Sequence, residues 1–451
     1  MKKKIAILLL VLVLTSCQTA VMKKISSGVG SVFSGGIFGN GGIFGDGLFN
    51  SREDGKPFES IETTELPNNQ ENKKLKVALL IPLSGKAAKI GESMFNAARI
   101  SVFNNSLNNI TIMPYDTKAT DFDAINAMNA AIRDDVDIII GPLTTQATLA
   151  TIDIAEQHNK IMISLSDNTA IKTDNRPNLY LISINSNQEL DRLISYFIDE
   201  QNFYGFSALF PSNIYGNQLS KNFSEIISRK DAKIVKRDFY STNDRNLGQK
   251  VVSLLNTHSF RNDVIRQYEE DKKIAKAEGL NMQVEFKYNK EDKVFTDALI
   301  VTDSGNDLVR IANYLNNHDT DGKKPLLVGT SKWLNSSLYN NDAFENTYFV
   351  APNPQTYVDF SNEYYDIYSA YPLKISSFIY DAVTAIIESY AAAQSKEDIK
   401  FALENYQGFD GINGRFRFLS NGLTERKLAI IKIVNGKYEI VDYDEDPFLK
   451  Y

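Results

Sequence analysis

Few side chains in this sequence of 451 residues suit disulfide or metal chemistry. Cys17 is the single cysteine, so no disulfide can form within the chain. The three histidines, His158, His258 and His318, lie far apart and lack the spacing of metal ligands. We therefore expect neither a metal site nor a cofactor.

The motifs of common nucleotide-binding and hydrolytic enzymes are missing as well. Gly85 and Gly91 have the wrong spacing for a Walker loop, and no G-x-S-x-G elbow is present. Residues 317–322 resemble the start of an EF-hand loop, but Val328 stands where that loop needs a bidentate carboxylate. The 56 acidic residues offer many carboxylate pairs, and no spacing singles one out. We predict no catalytic residues and no enzyme.

An excess of positive charge is also lacking. The formal net charge of −7 argues against nucleic acid as a partner, because phosphate binding needs a basic surface. Hydrophobic residues make up 43% and charged residues 23% of the chain, as in ordinary globular proteins. The length suffices for two or three domains with a sizeable core.

The first 16 residues have the pattern of a secretory signal. Lysines at positions 2–4 precede an apolar run, residues 5–14, that is too short for a membrane span. The sequence LTSC ending at Cys17 resembles the lipobox of bacterial lipoproteins, which implies lipidation at Cys17 and a membrane anchor. A plain signal peptide with an incidental cysteine is the alternative. Gln18 follows instead of the aspartate that retains many enteric lipoproteins in the inner membrane, so this resemblance implies the outer membrane.

Residues 17–75 are predicted to be a disordered tether behind that anchor. They include the tandem repeat GGIFGN and GGIFGD, residues 35–46, where the density of glycine makes ordering costly. Residues 52–74 are polar and carry two prolines, which also favours disorder.

From residue 76 onward, apolar runs typical of buried strands alternate with amphipathic helical patterns. This alternation predicts an α/β fold with mostly parallel sheets flanked by helices. The alternation of strand and helix patterns begins again near residue 204, which indicates two similar lobes with a cleft between them. We place lobe 1 at about 76–185 and 355–405, lobe 2 at about 186–354, a closing β-meander at 408–441 and an acidic tail at 442–451.

Polar residues follow the predicted strands of both lobes. Ligands of open α/β sheets bind beyond the carboxyl ends of their strands, so these residues are the candidate binding site. A helix beginning after Thr144 and Thr145 would favour an anionic group at its N-terminus. The alternative is that these residues are ordinary caps and turns. The candidates are Ser84, Thr144, Thr145, Ser164, Ser166 and Asn168 in lobe 1, and Tyr215, Asp303, Thr330 and Trp333 in lobe 2.

Residues 76–441 resemble type I periplasmic binding proteins, in particular their leucine-binding branch. The motifs that carry the resemblance are KVALLIPLSG, IIIGP, IMISLS, IYG and VGTSKW. Other details are more similar to the penicillin-binding protein activator family of bacterial lipoproteins. These are the charged insertion 261–279, Phe360 and Tyr364, the triplet Tyr380-Asp381-Ala382, and GFDGINGRFRFLSNGLTERKLAIIKI at 408–433.

The resemblance implies that Thr144 and Thr145 meet a ligand carboxylate and that Tyr215 supplies an aromatic contact. Amino-acid binders commonly place a glutamate after the strand that ends at Gly329, whereas Thr330-Ser331-Lys332-Trp333 stands here. A lysine would repel the ammonium group of an amino acid.

We therefore expect a periplasmic, lipid-anchored protein that activates a peptidoglycan synthase, with a penicillin-binding protein as partner. The alternative is the substrate-binding lipoprotein of a branched-chain amino acid ABC transporter, with a small-molecule ligand such as an amino acid.

Overall fold

The computed structural model describes residues 61–62, 74–105, 110–172, 176–253, 296–317, 324–393, 398–443 and a few single positions besides. The predicted signal peptide, Cys17, most of the tether and most of the charged insertion lie outside the described residues. Within the described ranges, no helix combines the length and apolarity that a membrane crossing needs.

Lobe 1 is built on a six-stranded sheet of order β1-β3-β2-β4-β5-β6. All neighbouring strands are parallel except β1 and β3. The central strands are continuous apolar runs, as expected of a parallel sheet covered on both faces. The strands are β1 (Ile61–Glu62), β2 (Leu75–Ile81), β3 (Ile110–Asp116), β4 (Ile138–Ile140), β5 (Ile161–Ser164) and β6 (Leu179–Leu181).

Among the described residues, lobe 1 has six α-helices, which come from two separate parts of the chain. The longest two, α1 and α10, pack together beside the sheet, with Ser93 against Ser376 and Ser101 against Thr384. The helices are α1 (Ala88–Asn105), α2 (Asp121–Arg133), α3 (Thr145–Gln157), α9 (Pro354–Tyr368), α10 (Ser376–Ala392) and α11 (Ile399–Leu403).

Lobe 2 has a seven-stranded sheet of order β15-β14-β11-β10-β9-β7-β8. The five strands β11, β10, β9, β7 and β8 run parallel to one another, whereas β14 and β15 are antiparallel to their neighbours. The strands are β7 (Gly205–Pro211), β8 (Lys233–Tyr240), β9 (Ala298–Val301), β10 (Leu326–Gly329), β11 (Tyr348–Ala351), β14 (Ala429–Val434) and β15 (Lys437–Tyr443).

The helices of lobe 2 cover both faces of this sheet, and a separate apolar cluster fills each face. The helices are α4 (Ser186–Asp199), α5 (Ile214–Arg229), α6 (247–253), α7 (Gly305–Asn317) and α8 (Ser336–Tyr339). Parallel sheets flanked by helices in two lobes confirm the predicted fold class.

The segment predicted as one closing meander is divided between the lobes. Its first part forms a ribbon of β12 (Phe416–Phe418) and β13 (Thr424–Arg426), and both phenylalanines are buried in the core of lobe 1. Its second part, β14 and β15, joins the sheet of lobe 2 by pairing with β11. A hairpin turn at Asn435-Gly436 joins β14 to β15. Hydrophobic alternation predicts strands, but it does not tell which sheet receives them.

The chain passes between the lobes at 182–185, 352–353 and 427–428. A buried group of residues joins the first and last of these segments. The guanidinium of Arg426 donates to the Asp381 carboxylate over 3.1 Å and to the Ile182 carbonyl over 2.6 Å. Asp381 also accepts from the side-chain amide of Asn413 over 3.1 Å. We call Asp381, Asn413 and Arg426 the hinge cluster.

Candidate functional site: the cleft between the lobes

The lobe 1 wall of the cleft begins at the loop between β4 and α3. Gly141 has a φ of 100°, and a Cβ there would lie 2.4 Å from the carbonyl oxygen of Leu80. Only glycine fits this turn, which brings the chain sharply into α3. Thr144 then caps α3 by accepting from the Ala147 N–H over 3.2 Å.

Two predicted residues of lobe 1 are brought together directly. The hydroxyl oxygens of Thr145 and Ser166 lie 2.8 Å apart, joining the start of α3 to the loop after β5. The backbone N–H of Asn168 donates to the same Ser166 hydroxyl over 3.2 Å. This wall therefore presents hydroxyls beside a helix N-terminus, where a negative group is favoured.

Ser84 and Ser164 have supporting contacts behind this wall. The Ser84 hydroxyl donates to the Asp116 carboxylate at the end of β3. Ser164 is fully buried; it lies 2.7 Å from the Thr148 hydroxyl and accepts from the Ser166 N–H over 3.0 Å. Ser164 therefore holds the loop that carries Ser166 and does not line the cleft.

The lobe 2 wall is dominated by a lysine and a tyrosine. Lys332 lies in the turn after β10, and Tyr215 in the first turn of α5. The ammonium nitrogen of Lys332 is 3.7 Å from the centre of the Tyr215 ring, a close cation–π contact. The Tyr215 hydroxyl lies 3.5 Å from that of Ser186 at the start of α4.

Three acids surround this pair. Glu189, on α4, is buried and accepts from the Ser331 N–H over 2.8 Å. Asp303, after β9, accepts from the Tyr240 hydroxyl over 2.8 Å. Asp167 approaches from lobe 1, in the loop after β5. We call Asp167, Glu189, Tyr215, Asp303 and Lys332 the cleft cluster.

The electrostatics of the cleft cluster show that its members act on one another. Burial works to lower the pKa of Lys332, but the attraction of Tyr215, Asp167 and Asp303 outweighs it and raises the pKa above its usual value. Burial raises the pKa of Glu189 to about 7, against hydrogen bonding from Ser331 and the charge of Lys332. Because Asp167 belongs to lobe 1 and Lys332 to lobe 2, the attraction between them acts across the cleft.

Trp333 and Thr330 are placed differently from the expectation that they line the cleft. Trp333 is fully buried in lobe 2, with its ring centre 5.4 Å from that of Phe344. It lies over Gly329, where a Cβ would be 2.0 Å from the indole ring. Thr330 is fully buried too, and within the described chain its hydroxyl has no hydrogen-bond partner, like that of Thr302, which directly follows the neighbouring strand β9. The indole is apolar enough to fill the core, and that position removes it from the cleft.

Sequence reasoning missed Glu189 and gave Lys332 only a repelling role. A signal for Glu189 was available, because it shares the apolar stripe of α4 with Leu193 and Phe197 at helical spacing. An acid on such a stripe is buried and needs partners. In the described part of the chain, no group of histidine, cysteine or acidic side chains is arranged to hold a metal ion.

Residues 74–259 match the model of the periplasmic binding protein family. The match covers 186 of the 451 residues of the chain. An uncharacterized protein of Rickettsia prowazekii is 24% identical over 196 residues, covering 44% of this chain. The chain spans about half, 51%, of that relative.

Solved structures show the same fold over most of the chain. A putative branched-chain amino acid ABC transporter protein from Rhodospirillum rubrum has 15% identity, covers 82% of this chain and 100% of its own, and gives a TM-score of 0.64. The leucine-binding protein LivK of Thermotoga maritima has 17% identity, coverages of 82% and 98%, and a TM-score of 0.53. A solute-binding protein of Rhodopseudomonas palustris, solved with 3,4-dihydroxybenzoic acid, has 17% identity, coverages of 83% and 99%, and a TM-score of 0.55. These likenesses establish the two-lobed type I periplasmic binding protein fold.

Proposed function

We propose that the protein is a non-enzymatic lipoprotein of the periplasm, anchored to the outer membrane through Cys17, whose two-lobed domain activates a penicillin-binding protein that synthesises peptidoglycan. The observation that carries this proposal is the position of Lys332, whose ammonium lies 3.7 Å from the Tyr215 ring centre inside the lobe 2 wall. A resident ammonium opposes capture of the ammonium of a free amino acid. We infer that the domain serves contact with another protein instead of amino-acid capture.

The hinge cluster supports the same proposal from a different part of the chain. Its members come from the two segments that most resemble the activator family, Tyr380-Asp381-Ala382 and 408–433. Besides Arg426 and Asn413, the Ile412 N–H also donates to Asp381, over 2.6 Å. The two segments therefore form one buried structural unit, as expected if the resemblance reflects a common architecture.

The direct test is glycan polymerisation by a purified bifunctional penicillin-binding protein from the same cell, with and without the full-length protein in detergent. We expect a several-fold faster reaction and co-purification of the two proteins. An unchanged rate together with no co-purification would contradict the proposal.

Labelled palmitate should enter the wild type and be lost in Cys17→Ala; label retained by the variant would contradict the anchor.

The second candidate is the substrate-binding lipoprotein of a branched-chain amino acid ABC transporter. The pair formed by Thr145 and Ser166 favours it, because hydroxyls at the start of α3 suit a ligand carboxylate. One structural neighbour was solved with isoleucine and another with an aromatic acid. Leucine binding by the wild type at micromolar concentration would support this candidate over the activator.

A further inference from the structure

The cleft cluster has the composition of a site for an ammonium group. An aromatic ring face and carboxylates are the protein groups that attract such a cation most strongly. Here Tyr215 offers the ring, and Asp167, Asp303 and Glu189 offer the acids. The ammonium of Lys332 lies 3.7 Å from the ring centre, and the charges of Asp167 and Asp303 attract it.

We propose that Lys332 is an intramolecular ligand, whose ammonium fills a site that would otherwise hold the ammonium of a free amine or amino acid. The side chain reaches this site from the short turn Ser331–Trp333. That turn is fixed on both sides, because Trp333 is anchored in the core and the Ser331 N–H is held by Glu189 over 2.8 Å. This short turn keeps the lysine near the acids. A free ligand must therefore compete with a group that is present at high effective concentration.

The balance of charge distinguishes this interpretation from an anion site. Asp167 and Asp303 attract the Lys332 ammonium, whereas burial raises the pKa of Glu189 to about 7, so that this carboxyl can hold a proton near neutral pH. Acids outnumber cations in the cleft cluster, so a further negative group would be repelled. Removal of the lysine leaves acids that favour a new cation. Asp167 belongs to lobe 1, so part of the attraction on Lys332 comes from the opposite lobe.

Binding at this site is a property beyond synthase activation, and it is tested independently of it. The test compares full-length wild type with Lys332→Ala, in which the ammonium and most of its stem are removed. n-Butylammonium chloride replaces the missing group, and L-leucine tests an amino acid. Calorimetric titration should give saturable binding of both by the variant, at least about tenfold tighter than any binding by the wild type.

Two control variants test whether the gain in affinity comes from the site that the Lys332 ammonium leaves empty. Lys332→Arg keeps the cation and should stay as unresponsive as the wild type. Lys221→Ala removes a lysine of α5 whose side chain is 72% exposed, and it should also behave as the wild type. If Lys332→Ala is poorly folded alone, n-butylammonium should raise its melting temperature, whereas sodium chloride at equal ionic strength should not.

The proposal is overturned by either of two results. One is that n-butylammonium neither binds to nor stabilises Lys332→Ala beyond the sodium chloride control. The other is that the wild type binds the same probes as tightly as the variant. Synthase activation is measured separately, so its failure would leave these results unaffected.

Discussion

The hinge cluster and the cleft cluster both bury charge, but they balance it in different ways. In the hinge cluster one arginine faces one aspartate, both side chains are 0% exposed, and backbone and amide groups complete the contacts. In the cleft cluster a half-buried lysine contacts an aromatic ring and is attracted by Asp167 and Asp303, while Glu189 is buried beside Ser331. The first arrangement is fully buried and depends on every member. The second has more acids than cations and is open to solvent at Asp167.

This difference indicates distinct roles. The buried pair of Arg426 and Asp381 fixes how the crossing segments meet, and removing one partner leaves an uncompensated charge. An incompletely balanced cluster at the cleft is more tolerant of change, because water or another cation can enter. The following variants test this contrast, beginning with the largest effect.

Arg426→Ala should destabilise the protein most. It leaves the Asp381 carboxylate buried without its cation, which typically costs about 3–5 kcal/mol of unfolding free energy. Urea unfolding followed by circular dichroism measures the loss. Arg229→Ala is the matched control: its side chain is 66% exposed, its pair with Asp191 is at the surface, and it should cost less than about 1 kcal/mol. Equal effects of the two variants would contradict the role given to the hinge cluster.

Glu189→Gln should change how stability depends on pH. The folded protein holds the Glu189 proton more tightly than the unfolded chain, because burial raises the pKa to about 7. Its contribution to stability is therefore complete below the unfolded value of about 4.3 and is lost as pH rises through about 7. Relative to the glutamine variant, the wild type should lose about 3 kcal/mol of unfolding free energy from pH 4.5 to pH 8. Denaturant unfolding at several pH values measures this difference. If the unfolding free energies of the wild type and Glu189→Gln change with pH in the same way, the prediction is wrong.

Lys332→Ala should cost less stability than Arg426→Ala. The lost cation–π contact and ion attractions are worth about 1–2 kcal/mol in a half-buried setting, and water can reach the vacated acids. Thermal unfolding of both variants under one condition compares them. A loss of stability as large as that of Arg426→Ala would show that the cleft cluster tolerates substitution no better than the hinge cluster.

Thr145→Val should have the smallest effect, because the lobe 1 wall has hydroxyls and no buried charge of its own. Loss of the 2.8 Å contact to Ser166 should cost about 1 kcal/mol. Ser166→Ala should cost a similar amount, and the double variant should cost less than the sum, since both remove one contact. Strict additivity in calorimetric unfolding would show that the two hydroxyls do not interact.

Most of the fold was predictable from the sequence because each lobe repeats simple apolar periods. The alternation of strands and helices expected from residue 76 onward is found in both lobes, as in the helix Asp121–Arg133 and the strand Ala298–Val301. The division of the closing meander was not predictable, since ribbon and sheet strands share one pattern. Only the three-dimensional pairing decides which sheet receives β14.

The cleft was predictable in part, for a similar reason. Polar residues after strands indicated where the walls lie, and Thr145 and Ser166 do meet there. The partners of Lys332 come from positions 167, 189, 215 and 303, and no spacing along the chain reveals that they converge. Trp333 shows the converse: this candidate is buried in the core, whereas its neighbour Lys332, which was not a candidate, contacts Tyr215.

The most direct measurement of the central claim is small-angle X-ray scattering of the full-length protein in matched detergent, with and without L-leucine. If Lys332 fills the ammonium site, the wild type should give the same radius of gyration in both conditions. Lys332→Ala should contract when leucine is added. Contraction of the wild type on adding leucine, as expected of a transport receptor that closes over its ligand, would contradict the account.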